Sequence, residues 1–466
     1  MGGIGGMGGI PSAPAIQLVA DTVTVVGVTN QGWVVFRDDS ALRAVEVGVV
    51  NPITRSPNSV LAGAGELIST RPGSVLIRGN VVFNWADMDW VTGIGSLSIW
   101  SAGVGTRDIG PTPYSEGLIA TSEQGTTIAY TTNNLAHTAD LTLATNNFEA
   151  PPQVLIPAMG LGSETTCAPS IGFVGERLFV GWCQVDSRVA KIERYELVAG
   201  HWQGTLIASD CLPAWSADAT GEHVFYQSSD YAAYVAAQGV AMRIDSGVSG
   251  GFLLPDASAA FYTVGDQLRR TSLPDVNPIP IVTKGYSQPV DFSPKFGTVL
   301  YSTIVTYTDG TQRDLRLVPT DVFNPEPIAL VADPVAALPR SSITQDGRYV
   351  MYLTAMTPSG GSLHVATIDG TERLVLPNVV EVVAASGSTL VFTDSSSDPN
   401  LYPVVMDLKT IDLATETEPR LIEAKILDGH SFQLDQTREN VIYVRSGLDS
   451  DASAAEGQGL FVRSIR

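Results

Sequence analysis

The chain has 466 residues and 45 glycines, and its 48 acidic against 27 basic residues give a net charge of −21. The length exceeds one ordinary core, so the chain holds two or three domains or grows by repetition. The negative field excludes nucleic acid and anionic membrane surfaces as partners, and no apolar run approaches the ~20 residues that span a bilayer.

Residues 1–14, MGGIGGMGGIPSAP, read as a flexible Gly-rich linker without the charged and apolar regions of a signal peptide. The linker is expected to tether the fold to something upstream, such as a lipid anchor or a signal that has been removed. From residue 15 to residue 466 the pattern is all-β: short apolar bursts (WVVF, NVVFNW, TVLYST, STLVFT) punctuated by Gly, Asp, Asn and Pro. The longest helix-like pattern, DYAAYVAAQGVAM at 230–242, makes two or three turns at most.

One signature recurs: two apolar residues, an aromatic, then usually a polar residue. It falls around Phe36, Phe83, Tyr130, Val180 (where the aromatic is missing), Tyr226, Tyr262, Tyr301, Tyr352, Phe392 and Tyr443. The intervals run from 36 residues (Tyr226 to Tyr262) to 51 (Tyr301 to Tyr352), the size of a four-stranded propeller blade. Each signature is the second strand, B. Strand A precedes it across a tight turn (GFVGERLFV, ITQDGRYVMY). Strand C follows a variable loop (SLSIWS, DLTLAT, DLRLVP, SLHVAT), and D comes after C (PQVLIP, GTLIAS, PIPIVT, ERLVLP). A blade cannot bury both its faces alone, so the units stack around an axis. The fold expected is a single β-propeller of about ten blades. An eight- or nine-bladed ring, or two smaller interlocked rings, stay open, with Tyr226 to Tyr262 the interval to doubt.

The last unit has A (SFQLDQT), B (NVIYVRS) and C (GLFVRSIR) but no D before Arg466. AIQLVAD at 15–21 matches the D segment PIALVAD at 327–333. The N-terminal strand is therefore expected to complete the last blade and close the ring, removing an open sheet edge.

Segments 292–302 (FSPKFGTVLYS), 216–228 (SADATGEHVFYQS) and 343–354 (ITQDGRYVMYLT) resemble the F-S-P-D-G repeat of TolB-type, WD40-like propellers, with the Asp-Gly pair kept at Asp346 and Gly347. The resemblance implies the fold and a periplasmic, outer-membrane-associated or secreted location in a bacterial envelope. It implies no partner, because this fold serves scaffolds and enzymes alike.

Alternating strand direction puts the AB and CD turns on one face and the BC and DA connections on the other. Long BC segments at 85–95, 227–239, 302–314, 393–407 and 445–459 make that second face the expected binding surface. Its candidate residues are the aromatics Trp85, Trp90, Tyr231, Tyr234, Tyr307 and Tyr402 and the acids Asp87, Asp89, Asp309, Asp394, Asp398, Asp449, Asp451 and Glu456. Aromatic rings with polar tips suit protein recognition.

Tests for chemistry find little. No G-x-S-x-G nucleophile elbow occurs, and His137, His201, His223, His364 and His430 are scattered without ligand spacing, which suits structural histidines. Asp449–Ser453 starts like a calcium loop but has Ala454 where Gly is required and Leu460 where Glu is required. Of the three cysteines, Cys167 and Cys183 fall on one AB hairpin and form a disulfide if the register pairs them; three free thiols are the alternative. The expectation is a non-enzymatic extracytoplasmic scaffold that binds another protein and carries no cofactor or metal. The alternative is an enzyme or carbohydrate-binding protein with paired acids in the axial channel.

Overall fold

A computed structural model describes residues 16–19, 24–37, 41–46, 66–71, 73–89, 94–113, 118–135, 138–145, 151–160, 168–184, 189–282, 286–293, 298–307, 310–319, 328–331, 342–357, 360–395, 405–416, 418–427, 432–435, 437–445 and 459–465. These residues form antiparallel strands and turns with no α-helix. The helix-like stretch at 230–242 is a correction: it folds as the strands Ala233–Ala237 and Val240–Asp245, with Phe225 and Tyr226 paired to Val235 and Tyr234. Its alanines favour a helix locally, but the half-buried surface beside strand His223–Ser228 accepts only an extended chain.

Apart from the N-terminal strand Ile16–Val19, neighbouring strands follow one another in the chain, so the building unit is a four-stranded meander. Five sheets are single meanders, beginning at Thr24, Ser74, Ile119, Val248 and Tyr286. The seven-stranded sheet is two meanders sharing the 17-residue strand His201–Ala217, whose first part is D of one and last part A of the next. The eleven-stranded sheet joins three in the same manner, with Glu372–Ala384 shared between the first two and one residue pair, Ile426 to Arg445, joining the last two. All ten signature segments are B strands, from Trp33–Arg37 to Asn440–Arg445. Tyr226 and Tyr262 lie in separate meanders, so their short interval reflects short connections.

The B strands explain why the signature is a run of apolar residues rather than an alternation. In Trp33–Arg37 the central three side chains are all buried: Val34 and Phe36 pack on Ile442, Val444, Leu460 and Val462 of the last meander, while Val35 packs on Val82 and Trp100 of the second. Successive residues point to opposite faces, and a neighbouring sheet covers each face. Among the described residues, nine of the ten apolar clusters join one meander to the next in chain order, and the tenth joins the last to the first. A strands of neighbouring meanders lie side by side, as with Thr24–Val28 beside both Ser74–Arg78 and Phe432–Leu434. The N-terminal strand Ile16–Val19 pairs antiparallel with Gly459–Ser464, setting Ile16 opposite Val462 and Gln17 opposite Phe461.

The AB turns repeat one hydrogen-bonded device. The residue closing strand A is Thr29, Ser122, Asp218, Thr344 or Asp435, and in each case its side-chain oxygen accepts from a backbone N–H at the start of B. Such side chains stabilise turns by replacing a backbone partner. Where the chain then needs a left-handed residue, Gly221 and Gly347 supply it with φ of 69° and 73°. Turns also bond to their neighbours: Asn30 donates to Gly79 O at 2.7 Å, Glu123 to Gly175 O at 3.2 Å, Ala219 to Pro255 O at 2.8 Å and Ser386 to Arg438 O at 3.2 Å.

Asp218 shows how closely such a cap is held. Glu222 and His223 N–H groups donate to Oδ1 at 2.9 and 3.1 Å, and the Thr220 hydroxyl donates to Oδ2 at 2.7 Å. Burial by itself would raise its pKa, but these bonds, with the His223 imidazole, hold it below the ordinary value. The folded pKa is thus below the unfolded value of about 3.9. The carboxylate's contribution to stability is complete above about pH 5 and is lost as pH falls through the folded pKa. Asp218→Ala should therefore cost about 2 kcal/mol at neutral pH in urea unfolding. The gap to wild type should narrow toward pH 3, and a gap independent of pH would refute the cap.

Candidate functional site: the loop face and a cleft on the turn face

The loop face is built at the ends of B strands and at the DA junctions. In the second meander strand B runs from Val81 to Asp89 and C resumes at Ile94, so most of the expected loop at 85–95 is paired strand. Trp85 is accordingly a correction: it is fully buried, its ring stacked 6.2 Å from Phe83 and its Nε1 donating to Thr112 Oγ1 at 3.0 Å. A bulge between Ala86 and Asp89 then turns the chain outward, with Asp87 at φ 51°. Asp87 is exposed and paired with Arg71 Nη1 of the preceding DA junction at 2.9 Å, and Asp89 is exposed at the strand end.

In the fifth meander the BC connection is the four residues 229–232. Tyr231 is 56% exposed at φ 63°, with its N–H on Ser228 O at 3.0 Å and its carbonyl accepting from Val248 N–H at 2.9 Å. Asp230 beside it accepts from the Ser228 hydroxyl, which with the neighbouring N–H groups keeps its carboxyl below the usual range. Tyr234, by contrast, is half-buried on strand C and stacks on Tyr226 at 5.4 Å. The expected loop at 302–314 is a hairpin instead, with Tyr307 paired to Gly310 at its tip. Asp394 closes strand Thr389–Ser395, where Lys409 Nζ holds it at 2.5 Å. Trp90, Asp309, Asp398, Tyr402, Asp449, Asp451 and Glu456, together with the Tyr307 side chain, lie outside the described residues. Asp87 and Tyr231 thus belong to different meanders of one face, and Arg71 is the member that motif reading missed, because its role depends on a partner 16 residues away.

The A strands are mostly apolar: TVVGV, SVLIR, SIGFV and VSGGFL hold no carboxylate. No group of three potential metal ligands gathers among the described residues. Two histidines serve structure. His223 Nδ1 lies 3.1 Å from Asp218, and His364 stacks on Tyr352 while bridging Thr354 Oγ1 and Glu372 Oε2 at 3.0 Å each, which ties three adjacent strands together. Cys183 is disulfide-bonded. Cys211 is a free buried thiol that donates to Ala190 O at 3.3 Å, and burial pushes its pKa up to about 12, which makes it inert. Cys167 lies outside the described residues.

A cleft of about 500 Å³ opens on the opposite, turn face, between the ninth and tenth meanders. Its charged groups are engaged by the protein itself. Arg420 Nη2 donates to Ile465 O at 2.6 Å, and Arg438 Nη1 donates to Ala384 O at 2.8 Å, each reaching across the seam. Asp412 accepts from Ser388 Oγ, Thr415 Oγ1 and Ala414 N–H at 2.9 to 3.0 Å; burial opposes these bonds, but they prevail and hold its pKa low. The cleft is chemically a polar seam, and the residues come from four separate turns and strands, so no local motif announces it.

No family model matches the chain, and no curated protein matches it. Among solved structures it is similar to a crystal structure of the eukaryotic initiation factor, with TM-score 0.50 and 8% identity over 78% of this chain and 90% of that one. It also matches TolB from Acinetobacter baumannii (TM-score 0.31, 15% identity, 66% and 78% of the two chains). A third match is the dihydro-heme d1 dehydrogenase NirN (TM-score 0.40, 13% identity, 79% and 76%). At such identities the likeness is one of fold: an all-β chain of antiparallel four-stranded sheets with propeller-like relatives.

Replacing Arg420 by Ala removes a charged donor from a partly buried carbonyl and should lower stability by about 2 kcal/mol in urea unfolding. Arg71→Ala, which breaks only an exposed ion pair, should cost under about 0.5 kcal/mol. Equal effects would contradict the reading of the cleft as a structural seam.

Proposed function

We propose that the chain is a closed ring of ten blades that acts outside the cytoplasm as a scaffold, holding another protein on the face that carries the BC and DA connections. The ring reading is supported by the cyclic order of the apolar clusters and by the pairing of Ile16 with Val462. The location is supported by the bonded Cys183, since disulfides persist in oxidising compartments. No helix among the described residues is long and apolar enough to cross a membrane.

The observation that carries the binding role is Tyr231. A large aromatic that is more than half exposed is normally free to collapse onto the surface, yet here backbone bonds on both sides fix it in place. A pre-ordered aromatic costs little entropy on binding. Asp230 sets an acid beside it, and the exposed Asp87 and Asp89 add acids to another part of the same face. The partner that fits is a protein with a cationic surface and a pocket for a tyrosine ring.

Two experiments test these readings separately. Deleting residues 15–21 should lower the melting temperature by at least about 5 °C, and an unchanged melt would remove the closure. A photo-crosslinker placed at Tyr231 and at Asp87 in the native host should capture the same protein, while one at Thr415 on the turn face should not. Capture from the turn face alone would reverse the assignment of faces.

A further inference from the structure

Among the described residues ten strands stand outermost in their meanders, and nine are guarded against pairing with another chain. Glu66–Ser69, Ile328–Val331 and Ile16–Val19 are four residues long. Pro278–Val282, Gly105–Pro113 and Gln153–Gly160 contain proline. Val240–Asp245, Arg420–Leu427 and the start of Glu372–Ala384 carry charges. Short length, proline and charge are the usual devices that keep exposed sheet edges apart.

The tenth is the first part of His201–Ala217. Its residues 201–209, HWQGTLIAS, hold no proline and no Asp, Glu, Lys or Arg. One edge pairs with Ala190–Val198, and among the described residues no strand pairs with 201–209 on the other. Leu206 is 55% exposed, and Leu197 and Val198 on the neighbouring strand are 59% and 43% exposed.

We infer that this edge pairs antiparallel with the same edge of a second copy of the chain, forming a twofold dimer. The segment is self-complementary. With the axis at Gly204, Trp202 of one copy faces Leu206 of the other, and Gln203 faces Thr205. Trp202 also sits opposite Leu197 within its own sheet, so an apolar row runs across the junction. Gly204 at the axis carries no side chain, and the Tyr195 ring of the neighbouring strand covers it there. Charge permits the approach even in a chain of net −21. The edge strand is uncharged, and the strand behind it balances Lys191 and Arg194 against Glu193 and Glu196.

Three partly exposed apolar side chains fall well short of the ~800 Å² per partner of a standard interface, so the dimer is weak, with Kd on the order of tens of micromolar. Sedimentation velocity on the full chain from about 1 to about 200 μM should show a reversible monomer–dimer equilibrium. Leu206→Lys, which adds the charge that guarded edges carry, should raise Kd at least about tenfold at unchanged melting temperature. Val240→Lys, on a guarded strand, should leave Kd unchanged. A chain that stays monomeric throughout the range, or a dimer that survives Leu206→Lys, would overturn the inference; the first outcome would return this edge to an extended segment of another protein.

Discussion

The structure depends on one constraint: the B strand of a meander buries both its faces, and a meander alone can cover neither. Val34 and Phe36 need one neighbour while Val35 needs another. A linear stack would meet this demand everywhere except at its two ends, each of which would expose a row of aromatic and branched residues. The residues of the first meander that would be exposed in this way, Val34 and Phe36, pack instead on Ile442, Val444, Leu460 and Val462 of the last. The N-terminal strand adds to this by bonding to Gly459–Ser464, so that chain termini far apart in sequence share a sheet. Contacts of this kind are costly in chain entropy and cheap once neighbouring units are formed.

Polar groups fix what the apolar faces leave loose. Face-to-face packing sets the distance between sheets but resists sliding poorly, because apolar contact has little directionality. The turn-to-turn bonds, from Asn30 to Gly79 and from Ala219 to Pro255, register one sheet against the next at the AB ends. Arg37 Nη2 of the first meander also donates to the Gly73 carbonyl at 2.7 Å, where the second meander begins; within that meander, a side chain at Gly73 would meet the carbonyl of Trp85.

Much of this was legible in the sequence because double burial leaves a distinctive trace. A consecutive apolar run ending in an aromatic cannot come from a half-exposed strand, so the ten B strands could be read directly, and with them the turns that the Asp, Ser and Thr caps announce. The loop face was less legible for a physical reason. Whether a segment such as NWADMDW is loop or strand depends on whether a neighbour offers it hydrogen bonds, and Trp85 is held by Thr112, 27 residues on. Likewise Tyr231 and Tyr234 look alike in sequence. One is displayed and the other stacked because strand C starts at Ala233, between them.

The distribution of arginines adds a consequence for recognition. Arg37, Arg177, Arg194, Arg420, Arg438 and Arg463 each donate to a backbone carbonyl of an adjacent meander, at Gly73, Thr220, Gly221, Ile465, Ala384 and Ile422. A guanidinium suits this work because it spreads several donors over a rigid plane and is weakly hydrated. These cations are drawn into the seams between sheets, whereas Asp87, Asp89 and Asp230 remain on the surface. The field a partner meets is therefore more negative than the ratio of acidic to basic residues conveys. The same placement of charge that joins the sheets leaves an acidic surface, the one that the proposed cationic partner would meet.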